Sequence, residues 1–174
     1  SSAKAVNFGI VYGISDYGLS RNLGISRARA KKYIDSYLDR YPKVQEYMAR
    51  VVEEGRQNGY VTTLLNRRRD LPELKSRNYN IRNFGRRVAL NTPIQGTAAD
   101  IIKKAMIQVH GELERRGLRS RLILQVHDEL IIDTYQPELE EVMALVKDQM
   151  EHAVPLSVPL VVDINTGRSW YDAK

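Results

Sequence analysis

The chain has 174 residues, 43% of them hydrophobic, and a formal net charge of +6. That is enough for one ordinary core or a large piece of a bigger protein, and the charge favours a polyanionic partner such as nucleic acid. The absence of cysteine excludes disulfides and thiolate metal sites, and His110, His127 and His152 are too far apart for a His-x₃-His zinc motif. No apolar run reaches the length of a membrane span and no signal peptide opens the sequence, so a soluble, cytoplasmic setting without a membrane partner is expected.

The elements read as helices first and strands late. Ala3 to Tyr12 is expected to be helical and to stop at Gly13, with Ser15 or Ser20 capping the next helix. Ser26 is placed to cap a helix from Arg27 to Arg40, which Tyr41-Pro42 breaks, and Lys43 to Gln57 makes a further helix, ending near Asn58-Gly59. Tyr60 to Leu65 is β-like and leads into Asn66-Arg67-Arg68-Arg69. Asn78 to Asn91 is helical, with Pro93 and Gly96 interrupting it before a helix from Ala98 to Arg116 that Gly117 closes. Two β-rich runs lie around Asp128-Glu129, with Leu122, Leu124 and Val126 expected on one side of the bend and Leu130 and Ile132 on the other. A helix from Pro137 to His152 and a final strand around Leu160 to Ile164 complete an α+β chain without repeats or linkers.

Three groups of residues carry chemistry. Asp128 and Glu129, preceded by His127, sit in a bend that contains none of the Gly, Asn or Pro that tight turns prefer. Hard oxygen ligands at such a tip suit Mg²⁺ when a phosphate supplies further ligands, although the same acids also read as an exposed, solvated turn. Lys4, Phe8 and Tyr12 have i, i+4, i+8 spacing, so a cation, an aromatic ring and a phenol share one helix face. That face suits a phosphate and a base or sugar, or else packs as an ordinary amphipathic helix. Arg87, Asn91 and Gln95 form a polar track able to reach base edges, and Arg67, Arg68, Arg69, Lys75, Arg77, Arg82 and Arg86 add charge suited to phosphates. The bland alternative there is a solvated face paired with Asp70 and Glu73.

Taken together the three patterns resemble a known family. Lys4-Ala-Val-Asn-Phe-Gly-Ile-Val-Tyr-Gly13 is similar to motif B of the family A DNA polymerases, the bacterial DNA polymerase I type, and Gln125-Val-His-Asp-Glu-Leu130 is similar to motif C. Arg87 to Asp100 resembles the family's intervening segment, and Gly167 to Lys174 its C-terminal end. The resemblance implies a helical fingers portion over residues 1–97, with an approximate boundary, and over 98–174 the second half of a palm with a β-hairpin, a helix and a C-terminal strand. It implies template-directed DNA synthesis in replication and repair, with primer-template DNA, deoxynucleoside triphosphates and the remainder of the polymerase chain as partners, and Mg²⁺ as cofactor.

Residue by residue, the resemblance has Lys4 binding the triphosphate and Phe8 lying against the sugar and base. A Phe or Tyr at that position affects tolerance of a sugar lacking the 3′-hydroxyl. Tyr12 would check base-pair shape at the insertion site. Arg87, Asn91 and Gln95 would contact primer and template near the new pair, and His127 would approach the primer's terminal phosphate. Asp128 would ligate the catalytic metal, with Glu129 in support. The family's other metal-binding Asp lies in motif A, upstream of motif B and not within these residues, so the chain alone is expected to be inactive. Departures from the family pattern occur at Asn66 (usually Gly), Asp70 (usually aromatic) and Arg86 (commonly acidic), and Ser1 stands where a basic residue is common. A non-catalytic DNA-binding module is the alternative, and a metal-dependent phosphoesterase built on Asp128 and Glu129 a weaker one, since it leaves Lys4, Phe8 and Tyr12 without a task.

Overall fold

Local capping chemistry sets the early helix boundaries in the computed structural model, which describes residues 2–173. Ser1 and Lys174, the outer ends of two stretches singled out above, lie outside the described residues. Helix α1 (Ser2–Val11) runs into Gly13 at φ +75. Helix α2 (Asp16–Leu23) is capped by Ser15, whose hydroxyl accepts from the Gly18 N–H at 3.0 Å, and α3 (Arg27–Arg40) by Ser26, which accepts from the Arg29 N–H at 3.3 Å. Caps of this kind contribute about 1 kcal/mol each. Ser20 is no cap: it is buried within α2 and donates to the Tyr17 carbonyl at 2.8 Å. Arg27 donates to Asp16 at 2.7 Å, linking α2 to the start of α3 and holding the Asp16 carboxyl below its ordinary value. Pro42 opens α4 (Pro42–Asn58) in the first turn, where its missing N–H has no intrahelical partner to lose.

The chain divides into two compact units, Ser1–Thr97 and Ala98–Lys174. In the first, β1 (Tyr60–Thr62) pairs antiparallel with β2 (Arg68–Asp70), a short hairpin where the sequence led to one longer run. Val51, Val61, Leu71, Leu74 and Ala89 form the core beneath it. Helix α5 (Tyr79–Asn91) starts at Asn78, whose side chain accepts from the N–H groups of Asn80 and Ile81. Residues 92–96 correct the expectation of a break. Thr92–Gly96 forms a π-helical turn running straight on from α5. Proline lacks the N–H of a normal helical bond and its ring crowds the preceding turn; a widened turn accommodates both. Gly96 packs rather than terminates, since a Cβ there would lie 2.6 Å from Thr63 Cγ2.

In the second unit, α6 (Thr97–Arg115) and α7 (Leu139–Glu151) pack Val109, Leu113, Val142, Leu145 and Val146 against one face of a hairpin, β3 (Arg121–Val126) and β4 (Glu129–Asp133). The expected alternation in β3 fails at one point. The register passes from Leu122↔Ile132 to Leu124↔Ile131, so Ile123 is an extra, bulged residue. Leu122 therefore faces the core with Leu130 and Ile132, while Leu124 turns outward and is 45% exposed. A 3₁₀ turn, Gln136–Glu138, precedes α7 where one longer helix was expected. The final strand expected around Leu160 to Ile164 is also corrected. These residues carry no regular structure, because no described strand lies alongside to pair with them.

Glu138 organises the loop after α6. Its carboxylate accepts from the N–H groups of Arg119 and Ser120 and from the buried Ser120 hydroxyl, at 2.7 to 3.0 Å. The Arg119 N–H leads the causes that lower its pKa from 4.5. A lowered carboxylate pKa stabilises the fold above the unfolded value, and that stability is lost as pH falls through the folded value. Glu138→Gln is thus expected to lower stability at neutral pH and to flatten the loss on acidification. Thermal unfolding from neutral pH into acid checks this; parallel curves for the two proteins would contradict it.

Candidate nucleotide and nucleic-acid site

The candidate residues divide between the two units. On α1, Lys4, Phe8 and Tyr12 rise one above another. Lys4 Nζ stands 5.9 Å from the centre of the Phe8 ring, and the Phe8 and Tyr12 rings are 6.2 Å apart at 30°. Phe8 is 52% exposed, so it is not a core aromatic; Ile10, at 2%, anchors the helix instead. The positive φ of Gly13 ends α1 tightly enough that a Cβ there would meet Leu90 Cδ1 at 2.8 Å and approach Arg87 Cγ at 3.8 Å. The Tyr12 end of the ladder therefore abuts α5 at Arg87, a contact that no spacing in the sequence signals.

Arg87 and Gln95 are exposed and Asn91 is half-buried. Asn91 Oδ1 is buried and accepts no hydrogen bond from any described residue, an unsatisfied acceptor beside a polar track. The loop after β1 clasps the π turn. The Leu64 N–H donates to Thr97 Oγ1 at 2.9 Å, the Thr97 hydroxyl donates to the Pro93 carbonyl, and Arg67 donates to the Gly96 carbonyl at 3.3 Å. Thr63 and Thr97 thus support the track, and nothing in their spacing singled them out. Asn66 holds φ +63, a conformation that Asn tolerates better than most residues. Its departure from glycine is a mild one. Arg68 pairs with Asp70 at 2.7 Å and lies 4.0 Å over the Tyr60 ring, whereas Glu73, the other expected partner, keeps a buried Oε2 that accepts no hydrogen bond from any described residue.

In the second unit, Val126↔Glu129 closes the hairpin, so the turn is the two residues His127 and Asp128, and Glu129, expected within the bend, is the first residue of β4. His127 takes φ +53 where such turns usually place glycine, and the Gln125 amide donates to its carbonyl at 2.6 Å. A histidine in this uncommon conformation is tolerated but disfavoured, and residues held in this way concentrate at functional sites. His127, Asp128 and Glu129 are all exposed, and among the described residues no hydrogen bond or ion pair engages either carboxylate. No group of three or more His, Asp or Glu among the described residues could by itself hold a metal ion. Among the described residues no helix is long and apolar enough to cross a membrane.

A cation–aromatic ladder, a polar helical track and an acid-tipped hairpin follow one another along this α+β chain, and the sequence profile of DNA polymerase family A matches residues 1–172. The chain belongs to DNA polymerase family A. It is 60% identical over 172 residues to DNA polymerase I of Bacillus subtilis (strain 168) and 58% identical over 172 residues to DNA polymerase I of Bacillus caldotenax, covering 99% of this chain and 20% of each relative. Among solved structures, the POL domain of Pol1 from M. smegmatis, in complex with DNA primer-template and dNTP, superimposes with a TM-score of 0.95 at 48% identity. That match covers 99% of this chain and 30% of the other. The chain spans about a fifth of the length of the curated relatives it matches.

Proposed function

We propose that these residues supply the fingers portion (1–97) and the C-terminal part of the palm (98–174) of a template-directed DNA polymerase. The intact enzyme would join a deoxynucleoside triphosphate to a primer 3′-hydroxyl. The observation that carries this reading is the Lys4–Phe8–Tyr12 ladder, with Lys4 and Phe8 exposed and Tyr12 half-buried, followed by Gly13 close to Arg87. A core helix has no use for an exposed ring flanked by a cation, whereas a nucleotide presents phosphate, sugar and base in that order.

In this reading Lys4 holds the triphosphate, Phe8 lies against the sugar and base, and Tyr12 checks the shape of the new pair. Arg87, Asn91 and Gln95 contact primer and template, and the open acceptor of Asn91 suits a base-edge donor. His127 approaches the primer's terminal phosphate. Asp128 is the metal ligand and Glu129 supports it. Two adjacent exposed carboxylates fit Mg²⁺, which takes few protein ligands and completes its shell with water and substrate phosphate. When bound, such ions neutralise charge on the attacking and leaving oxygens of phosphoryl transfer. The protein's share is positioning: the hairpin holds Asp128 at its tip, and α1 presents Lys4 to the departing pyrophosphate.

The test is extension of a labelled primer. The full-length polymerase bearing this segment is expected to add template-directed nucleotides with Mg²⁺, and residues 1–174 alone to add none, since among the described residues no group of three or more His, Asp or Glu could hold the ion. Product that ignores the template would reject the reading. Extension by 1–174 that Asp128→Ala abolishes would reject the division of the metal site.

A further inference from the structure

Helix α5 carries the Arg87–Asn91 track beyond the residues assigned above. At 3.6 residues per turn, Asn80, Phe84, Arg87 and Asn91 fall within about 60° of one another around the helix. Phe84 is 48% exposed on that face, and Asn80 and Arg87 are exposed on either side of it. A phenyl ring neither donates nor accepts hydrogen bonds, so it offers nothing to a phosphate or a paired base edge. It offers a flat apolar face. The local sequence favours an anionic partner: from Lys75 to Ala99 it holds five basic residues and no Asp or Glu, while Glu73 packs against Gly85, a position about 100° around the helix from Phe84. An aromatic face within an acid-free basic stretch fits single-stranded nucleic acid, whose unpaired bases stack while its phosphates meet the arginines. Duplex DNA offers the Phe84 ring no base face, because its bases already stack on one another, whereas Arg87 and Asn91 further along the helix can still meet the paired end. Phe84 precedes Asn91 by seven residues, a rise of about 10 Å, which spans roughly three nucleotide steps of a stacked strand.

We infer that Phe84 is a stacking platform for an unpaired template base about three nucleotides beyond the pair at Asn91. Arg87 stands between the two and meets the intervening phosphates. This rests on the polymerase reading above and adds to it a site for the single-stranded template.

The experiment uses the full-length polymerase and fluorescence anisotropy on two primer-templates. One has a single unpaired template nucleotide, and the other has an overhang reaching past the third. The wild-type enzyme is expected to bind the longer overhang at least about fivefold more tightly. Phe84→Ala should lose that preference with little change on the short overhang, and Phe84→Trp should keep it. Phe84→Leu, which preserves apolar bulk beneath the helix, should lose it too. A 2-aminopurine at the third unpaired position should be quenched by the wild type and not by Phe84→Leu. An unchanged preference in Phe84→Leu, equal weakening on both overhangs, or no preference in the wild type would overturn the inference. Failure of the wild type to bind either primer-template would instead bring down the polymerase reading itself.

Discussion

Asp128→Ala in the full-length polymerase is expected to remove the chemical step while leaving nucleotide affinity close to that of the wild type. The side chain stands at the exposed tip of the β3–β4 turn, and no described protein group competes for its oxygens. In the proposed role its removal subtracts a metal ligand, and in any case it removes little packing. An ion held there would stabilise charge that grows toward the transition state, so loss of its ligand should fall on the rate rather than on ground-state binding. A fall of about a thousandfold or more, some 4 kcal/mol, is the expected scale. Single-turnover kinetics over a range of nucleotide concentrations separates the two quantities. A preserved maximal rate with weakened nucleotide binding would show that Asp128 is not the metal ligand proposed. Unfolding measured alongside should show little change, since the turn contributes no core residue.

Lys4→Ala should divide its effect the other way. Lys4 is exposed on α1, where it stands over the Phe8 ring. Its ammonium is thus available to triphosphate oxygens before the bond is made. A charge-assisted hydrogen bond of that kind contributes about 1.5–3 kcal/mol, so nucleotide affinity should fall by about tenfold to a hundredfold. The maximal rate should fall by less. Lys4→Arg should recover part of the affinity, since it keeps the charge but not the geometry. The reverse pattern, with affinity intact and the rate lost, would place Lys4 at the transition state alone.

Much of the helical half was legible because its signals are local. Ser15, Ser26 and Asn78 cap, Pro42 starts and Gly13, Gly59 and Gly117 stop helices through bonds and φ values settled within a few residues. The errors arose where distant groups decide. Pro93 reads as a break in any local window, yet Thr63, Arg67 and Thr97 hold its neighbours from outside it. The bulge at Ile123 comes from seating Leu122 on the α6–α7 core while the tip keeps Val126 opposite Glu129. Residues 160–164 have strand composition but no described neighbour to pair with, and composition alone does not make a ladder. The same division holds for the candidate site. The Lys4–Phe8–Tyr12 ladder was readable from helical spacing, whereas the approach of Gly13 to Arg87 joins residues more than seventy positions apart.

If Asn91 contacts primer and template as proposed, its side-chain carbonyl, buried without a donor among the described residues, sets folding against recognition at a single position. Burying an acceptor without a donor costs about 1–3 kcal/mol in the unliganded protein. An apolar residue of similar size would relieve that cost and make a sturdier helix. A lineage screened only for heat resistance would tend to drift toward such a replacement and give up the proposed contact, while one screened for that contact would keep the frustrated amide.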